Sequence, residues 1–332
     1  MKLTVGLGSV DEYIRFSEAG ADEFFCGYVP YSWTQKYDTM MPLNRREVLC
    51  SNVQLGAFSE LEILASMIRD YQRPVHLTFN SLFYLPEQYP EIAKIMKACM
   101  CLGFQSYIIA DPALILYLRE HNIDCEIHLS GETGEVNSRM VDFFQQFSLK
   151  RVIFHRKSSF DDMKAVINAE KSYDGLRAET EFEAFILNEM CQFTGAFCNS
   201  LHCDELGHLC RIPYWLKPLK ESCTGSSFRQ LRPSVPAASP QTSLPHTPDL
   251  PEGYLCGATG CGLCALYRLR EIGITHLKLV GRGNYTDFME QDIRMLRQAL
   301  AILETSTSEK DFQLNMREQL FPQGCSSHCY YL

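Results

Sequence analysis

Fifteen cysteines punctuate the 332 residues, and the ten that follow residue 190 are the densest source of chemistry in the chain. Eight fall in one stretch: Cys191-x6-Cys198-x4-Cys203-x6-Cys210, then Cys223, Cys256, Cys261 and Cys264. Thiolates brought together repel one another and a bound cation removes that repulsion, so four or more in a loop-rich stretch point to metal. Zinc favours tight C-x2-C pairs that close a small ribbon, and only Cys261–Cys264 has that form. A cubane iron–sulfur cluster tolerates looser spacing and is the favoured reading. Zinc is the runner-up and a metal-free loop the third, with His202 and His208 either as ligands or as exposed loop residues. The odd total excludes complete internal disulfide pairing. Cys26, Cys50, Cys99, Cys101 and Cys125 lie among apolar neighbours and read as buried, inert thiols. Cys325-Ser326-Ser327-His328-Cys329 reads either as a labile metal or redox site or as a disordered terminus with two exposed thiols.

A second set of residues sits directly after, or late within, apolar runs. These are Gly27-Tyr28, Asn80, Asp111, His128 with Ser130, Arg156, Glu183 and Gly281-Arg282. Each alone has an ordinary structural account: Asp111 before Pro112 as a helix cap, His128 as a core histidine, Arg156 as a salt-bridge partner. Their regular recurrence calls for a frame that brings strand ends together.

The pattern supplies that frame. Strand-like runs at 3–7, 23–27, 75–79, 106–110, 125–129, 151–155, 179–185 and 276–280 alternate with helical stretches at 10–19, 60–71, 91–102, 113–121, 135–147, 160–171, 265–272 and 287–304. No hairpin turn signals intervene. Such alternation requires a parallel sheet, and eight units close most economically as an α/β (β/α)8 TIM-like barrel, whose active residues converge on the C-terminal mouth. An open doubly wound sheet is the alternative, but no G-x-G-x-x-G follows the first strand. Residues 1–186 then carry seven strands, 187–264 form a Cys-rich insertion before the last strand with a Pro/Ser-rich loop at 224–251, 265–305 complete the barrel, and 306–332 form a tail. Met289, Ile293, Leu296, Leu300 and Leu303 read as a core-facing helix stripe.

Lys and Arg number 31 against 40 Asp and Glu, a net charge of −9 that gives no general pull on nucleic acid or anionic lipid, though a local basic cleft is compatible with it. No apolar run approaches the ~18 residues of a membrane span, and the first residues lack a signal-peptide core. A cytoplasmic protein without membrane contact is expected. H-E-x-x-H, G-x-S-x-G and G-x-x-x-x-G-K-[ST] are all absent, which disfavours a gluzincin-type protease, an α/β-hydrolase and a P-loop NTPase.

Read in order, several segments resemble peptidase family U-32, the collagenase-like peptidase group. They are Glu18-Ala19-Gly20-Ala21-Asp22-Glu23 (E-x-G-A-D), Phe79-Asn80-Ser81 (L-N-T), Ile109-Ala110-Asp111-Pro112 (I-x-A-D-P/L) and Ile127-His128-Leu129-Ser130 (H-x-S), followed by Asn137. Lys150 through Arg156 resembles x-R-V-x-x-x-R, Glu181-Phe182-Glu183-Ala184-Phe185 with Cys191 resembles E-x-E-x-F…C, and Lys278 through Arg282 resembles K-I-E-G-R. The chain departs from the family at Glu132, usually Gln, at Val280, usually Glu, and in the length and extra cysteines of the stretch from Cys198 to Cys256.

The resemblance implies a degenerate (β/α)8 barrel and, as in many members, a [4Fe–4S] cluster. Cys191 and Cys198 match the first two cluster cysteines and Cys210 the third; Cys256 is the fourth, with Cys203 or Cys264 as competitors. It also implies oxygen-independent hydroxylation of an RNA base or a small molecule, with a second family member or an electron donor as partner. On this reading Asn80, Ser130, Arg156 and Arg282 bind substrate, and His128, Glu183 and Asp111 serve catalysis. Arg156 and Arg282 would clamp a carboxylate or phosphate, and His128 or Glu183 would move the proton. A collagenase-like peptidase and a zinc-stabilised non-catalytic binding protein are the alternatives.

Overall fold

The structure, a computed structural model, describes residues 1–38, 41–45, 53–133, 137–172, 180–191, 196, 198, 254–282 and 284–331. The Pro/Ser-rich loop at 224–251 and Cys203, Cys210 and Cys223 lie outside these residues, as does Cys50.

Eight parallel strands close into a barrel in sequence order: β1 (Lys2–Gly6), β2 (Glu23–Gly27), β3 (Val75–Phe79), β4 (Ser106–Ile109), β5 (Glu126–Leu129), β6 (Leu149–Ile153), β7 (Glu181–Leu187) and β8 (His276–Leu279). Between and after them run α1 (Glu12–Ala19), α2 (Tyr31–Tyr37), α3 (Phe58–Tyr71), α4 (Tyr89–Cys101), α5 (Pro112–Glu120), α6 (Ser138–Phe144), α7 (Phe160–Lys171), α8 (Leu266–Ile272), α9 (Thr286–Thr305) and α10 (Glu309–Leu320). The expected (β/α)8 architecture is thus the observed one. Every residue of β2, β3 and β4 is buried, as a parallel sheet requires when helices cover one face and the barrel lumen closes the other. The α9 stripe Met289, Ile293, Leu296, Leu300 and Leu303 is buried in the main core. No helix among the described residues is long and apolar enough to cross a membrane.

Three features differ from the sequence reading. The segment at 31–37 is helical, and the tail carries α10 with a backbone return onto the barrel, Cys261 pairing with Cys329 as an isolated β-bridge. Cys101 is exposed: the buried face of α4 is Ile92, Ala93, Met96 and Cys99, which turns Cys101 to solvent.

Side chains alternate across the barrel wall, so each strand contributes residues to the lumen in layers. One layer is ionic. Arg151 donates to Glu23 at 2.8 Å, to Glu183 at 2.7 Å and to Glu181 at 2.7 Å, and Lys278 donates to the other oxygen of Glu183 at 2.7 Å. His76 and His276 approach Glu23 at 3.1 and 3.3 Å. Lys278 and Arg151 hold Glu183 down to about 2, and hydrogen bonds from His276 and His76 together with the Arg151 charge hold Glu23 lower still, against the opposing effect of burial. Two residues further along the same strands stand Phe25, Ile153, Phe185 and Val280, which with Ile108 form a separate apolar cluster. That cluster lies between the charges and the C-terminal mouth.

Removing one partner of a buried ionic set leaves charge uncompensated and costs ~3–5 kcal/mol. Arg151→Met is therefore expected to lower stability by about that amount, read as a shift in the urea midpoint near neutral pH. A midpoint that does not move would show that the network contributes nothing to stability.

Candidate functional site at the C-terminal mouth

Above the apolar layer the strand ends carry a second polar set. At the end of β2, Gly27 leaves space that no other residue can: a Cβ there would lie 1.5 Å from the Gln54 side-chain oxygen. Gln54 accepts from Arg282 at 3.0 Å, and Arg282 also reaches Thr78 at 3.4 Å and lies over the Phe25 ring at 5.6 Å. After β3, the Asn80 side-chain oxygen accepts from the backbone N–H of Arg45 at 3.2 Å. Arg45 pairs with Glu132 at 3.4 Å and donates to the Cys198 carbonyl at 3.0 Å. The Ser130 hydroxyl, after β5, accepts from the backbone N–H of Glu132 at 3.2 Å.

After β6, Arg156 is buried with its guanidinium 3.9 Å above the Phe185 ring and an N–H donated to the Cys191 sulfur at 3.2 Å. Burial pushes the Cys191 thiol up and Arg156 opposes that shift, the arrangement a sulfur needs if it is to carry negative charge. Glu132 acts electrostatically on both Arg156 and Cys191, and Cys198 acts on Cys191, so these residues form one group. His155 adjoins them. Its Nδ1 accepts from the Lys157 backbone N–H at 3.2 Å, which leaves the proton on Nε2. Burial holds this imidazole down to about 4, so the ring is neutral near pH 7. His155 Nε2 and Arg156 Nε are both buried and have no hydrogen-bond partner among the described residues. Among the described residues, the mouth thus presents two N–H groups without a partner beside two thiols.

The residues proposed from sequence divide sharply. Asn80, Ser130, Arg156, Arg282, Cys191 and Cys198 meet at or around the mouth. His128 and Glu183 do not; they belong to the ionic layer beneath the apolar one. Glu183 is fully buried with both oxygens held by Arg151 and Lys278. The His128 ring lies 4.4 Å from that of His76, and burial keeps it neutral. Position along a strand, within it rather than beyond it, sets their depth. Asp111 caps α5, accepting from Ala113 N–H at 2.9 Å and, on its other oxygen, from Tyr84 N–H and the Tyr89 hydroxyl at 3.2 and 3.1 Å. Cys256 is not brought to Cys191: its buried thiol contacts Asp292 and Tyr254, and the thiol it senses is Cys261. Cys210 lies outside the described residues. Arg45, Gln54 and His155 were missed by the sequence reading. His155 directly precedes the expected Arg156 and was legible as a strand-end residue; Arg45 and Gln54 lie in loops with no periodic signal.

A parallel eight-stranded barrel with thiols and guanidiniums at its C-terminal mouth defines the class of protein. A family model described as peptidase family U32 matches residues 8–332, and the chain belongs to that family. The chain is 27% identical to the tRNA hydroxylation protein P of Escherichia coli (strain K12) over 340 aligned residues, which cover 91% of this chain and 67% of that protein. It is 24% identical to the tRNA hydroxylation protein P1 of Bacillus subtilis (strain 168) over 143 residues, 43% of this chain and 32% of that one. Among solved structures it is similar to the U32 peptidase Mk0906 at 13% identity and a TM-score of 0.40, covering 56% of this chain and 69% of the other.

Three buried imidazoles, His76, His128 and His155, are held below the usual value of ~6.5 mainly by desolvation. The unfolded chain therefore takes up protons first as pH falls. Their contribution is fully present above about pH 6.5 and is lost progressively below it, His155 alone accounting for roughly 3 kcal/mol by about pH 4. Urea denaturation is expected to give a lower midpoint at about pH 5 than at pH 7.5, with a shallower fall in His155→Gln. A flat profile would contradict the neutral, buried assignment.

Proposed function

We propose that this protein hydroxylates a base of tRNA at the C-terminal mouth of its barrel, using an iron–sulfur cluster held by Cys191, Cys198 and Cys210. The observation that carries the reading is the meeting of Cys191 and Cys198 with N–H groups of His155 and Arg156 that have no partner among the described residues. Family membership and the names of the E. coli and B. subtilis relatives support it.

The residues fit such a group in donor chemistry. Two thiols stand together, and a guanidinium already serves one sulfur, which lowers the cost of thiolate formation. Cys256, tied to Asp292, is not among the proposed ligands in this arrangement. When bound, the cluster supplies one-electron transfer. Replacing C–H by C–OH takes two electrons from the base, so the same proposal requires an oxygen-bearing co-substrate that gives up its oxygen and is reduced by two electrons, with a second family member or an electron donor as partner.

The chain's own residues supply recognition. Proteins that read single-stranded RNA splay bases out of loops and bind their edges. A base entering this mouth finds donors for a ring carbonyl in His155 Nε2–H and Arg156 Nε–H. Arg45, paired with Glu132, and Arg282 add positive charge to the strand ends of a chain whose net charge is −9. A neutral His155 donates without placing a second cation beside Arg156. The apolar floor of Phe25, Ile153, Phe185 and Val280 closes the mouth from below and isolates the ionic layer.

The test is an E. coli strain lacking its tRNA hydroxylation protein P, supplied with this chain under oxygen-free growth, with tRNA nucleosides read by mass spectrometry. Restored incorporation of one oxygen supports the proposal; soluble, cluster-bearing protein with no oxygen gained overturns it. Cys191→Ser is expected to lose about four irons and four sulfides per chain relative to the unsubstituted protein, together with the ~400 nm band. Arg156→Ala should keep its iron yet lower oxygen incorporation by roughly 10–100-fold, the worth of about 1.5–3 kcal/mol in a charge-assisted hydrogen bond.

A further inference from the structure

The segment that follows α10 returns to the barrel and brings one aromatic side chain to the mouth. Tyr330 packs against the floor formed by Phe25, Ile108, Ile153, Phe185 and Val280. Arg156 lies over Phe185 of that same floor, its guanidinium 3.9 Å from the ring. Burial raises the Tyr330 phenol and the Arg156 guanidinium opposes that shift, so the two side chains are electrostatic neighbours. A residue from far along the chain thus stands beside the group that follows β6.

Its seat is fixed by the backbone. The Cys261 N–H donates to the His328 carbonyl at 2.8 Å, and the Tyr330 N–H donates to the Cys261 carbonyl at 2.8 Å, which makes the parallel bridge between Cys261 and Cys329. Before the bridge, the Ser326 hydroxyl donates to the Gly257 carbonyl at 2.7 Å. After it, the Tyr331 hydroxyl donates to the Phe185 carbonyl at 2.7 Å. Gly260 makes room for the Tyr330 side chain: a Cβ there would lie 2.2 Å from a ring carbon and 3.0 Å from the hydroxyl oxygen.

What the seat does not supply is a partner for the hydroxyl. The Tyr330 oxygen is buried and makes no hydrogen bond of ordinary geometry with any described residue, Arg156 included. Buried phenols normally find a partner, because one left unmet costs the desolvation of the group. Phenylalanine would fill the same place on an apolar floor without that cost. The next residue shows the contrast, since the Tyr331 hydroxyl is met by the Phe185 carbonyl. Arg156 Nε and His155 Nε2 share the condition of the Tyr330 oxygen among the described residues. One polar ligand in the mouth accounts for all three.

The three groups differ in what they accept. Arg156 Nε–H and His155 Nε2–H only donate, whereas a phenol hydroxyl both donates and accepts. The ligand they fit carries an acceptor such as a ring carbonyl with a second polar atom, of either kind, beside it. The edges of nucleobases are built in this way.

We propose that Tyr330 is a substrate-binding residue of the mouth, its hydroxyl completing with Arg156 and His155 the polar edge that receives the tRNA base. The inference rests on the tRNA reading above and adds to it a residue from outside the barrel strands and their loops.

The experiment uses the full chain in the E. coli strain lacking its tRNA hydroxylation protein P. It compares the unsubstituted protein, Tyr330→Phe and Tyr331→Phe for the rate at which tRNA gains oxygen after induction, with urea midpoints and iron content measured on the purified proteins. Tyr330→Phe is expected to slow oxygen gain roughly 3–10-fold, the worth of one neutral hydrogen bond, while its iron is kept and its midpoint stays level or rises. Tyr331→Phe loses a hydrogen bond made within the protein, so its midpoint is expected to fall. A fall in Tyr330→Phe that matches Tyr331→Phe would show a hydroxyl already spent inside the fold and overturns the inference. An unchanged rate in Tyr330→Phe, where the unsubstituted chain restores oxygen, overturns it too and leaves the tRNA reading standing. No oxygen gained with the unsubstituted chain sinks the tRNA reading, and this inference with it.

Discussion

The ionic set around Arg151 is the constraint on which the rest of the barrel depends. A guanidinium in the lumen of a closed sheet has no access to bulk water, so each of its N–H groups must find an acceptor from another strand. Glu23 from β2, Glu181 and Glu183 from β7 supply them, and Lys278 from β8 completes the pairing of Glu183. Four strands that lie far apart in sequence are thereby tied to one register. A slip of one residue in any of them would turn a charge into the helix-facing core, where no partner exists. Such a network adds less net stability than an apolar core of equal volume, but it penalises every wrong arrangement severely.

From that register follows what reaches the mouth. Because the lumen alternates with the outer face, the residues two places beyond the charges point the same way, and here they are Phe25, Ile153, Phe185 and Val280. They form a lid over the ions and a floor under the mouth. Phe185 does both: its lower neighbour is Glu183, and its upper face carries the guanidinium of Arg156. Arg156 is held by that ring and by the Cys191 sulfur, so its position couples the barrel wall to the cysteine-bearing loop. The chemistry of the mouth is thus set by strand ends and loops, while the titratable groups deeper in the lumen are occupied with one another.

Periodicity made the barrel legible because parallel strands buried on both faces are short apolar runs with helical stripes between them. β2, β3 and α7 begin and end where the pattern places them. α2 escaped because only Trp33 of its seven residues is buried, and α10 because Phe312 and Met316 alone mark its inner face. At the site, Arg156, Arg282, Asn80 and Cys191 were readable since each follows an apolar run directly. His128 and Glu183 were misplaced in depth for the same reason in reverse: they lie inside their strands, where a polar residue reads like a strand end. Arg45 and Gln54 come from the stretch between α2 and α3, where nothing in the residue pattern announces a role and only tertiary packing against Gly27 and Asn80 reveals one.

The cysteines sort themselves by what surrounds them rather than by their spacing. Cys26 and Cys99 are buried in the apolar core and pushed up to about 12, which keeps them as inert thiols. Cys191 is only partly buried, and the Arg156 guanidinium donates to its sulfur. Cys256 lies between these extremes. It is buried against Asp292, whose own carboxyl is raised by burial and accepts from Asn188 and Tyr254. A thiol beside a carboxyl is pressed towards its protonated form, so Cys256 serves as a hydrogen-bond donor that helps hold α9 to the loop after β7. The family resemblance implied Cys256 as the fourth cluster ligand, with Cys203 or Cys264 as competitors. In the structure its neighbours are Asp292, Tyr254 and Cys261 rather than Cys191.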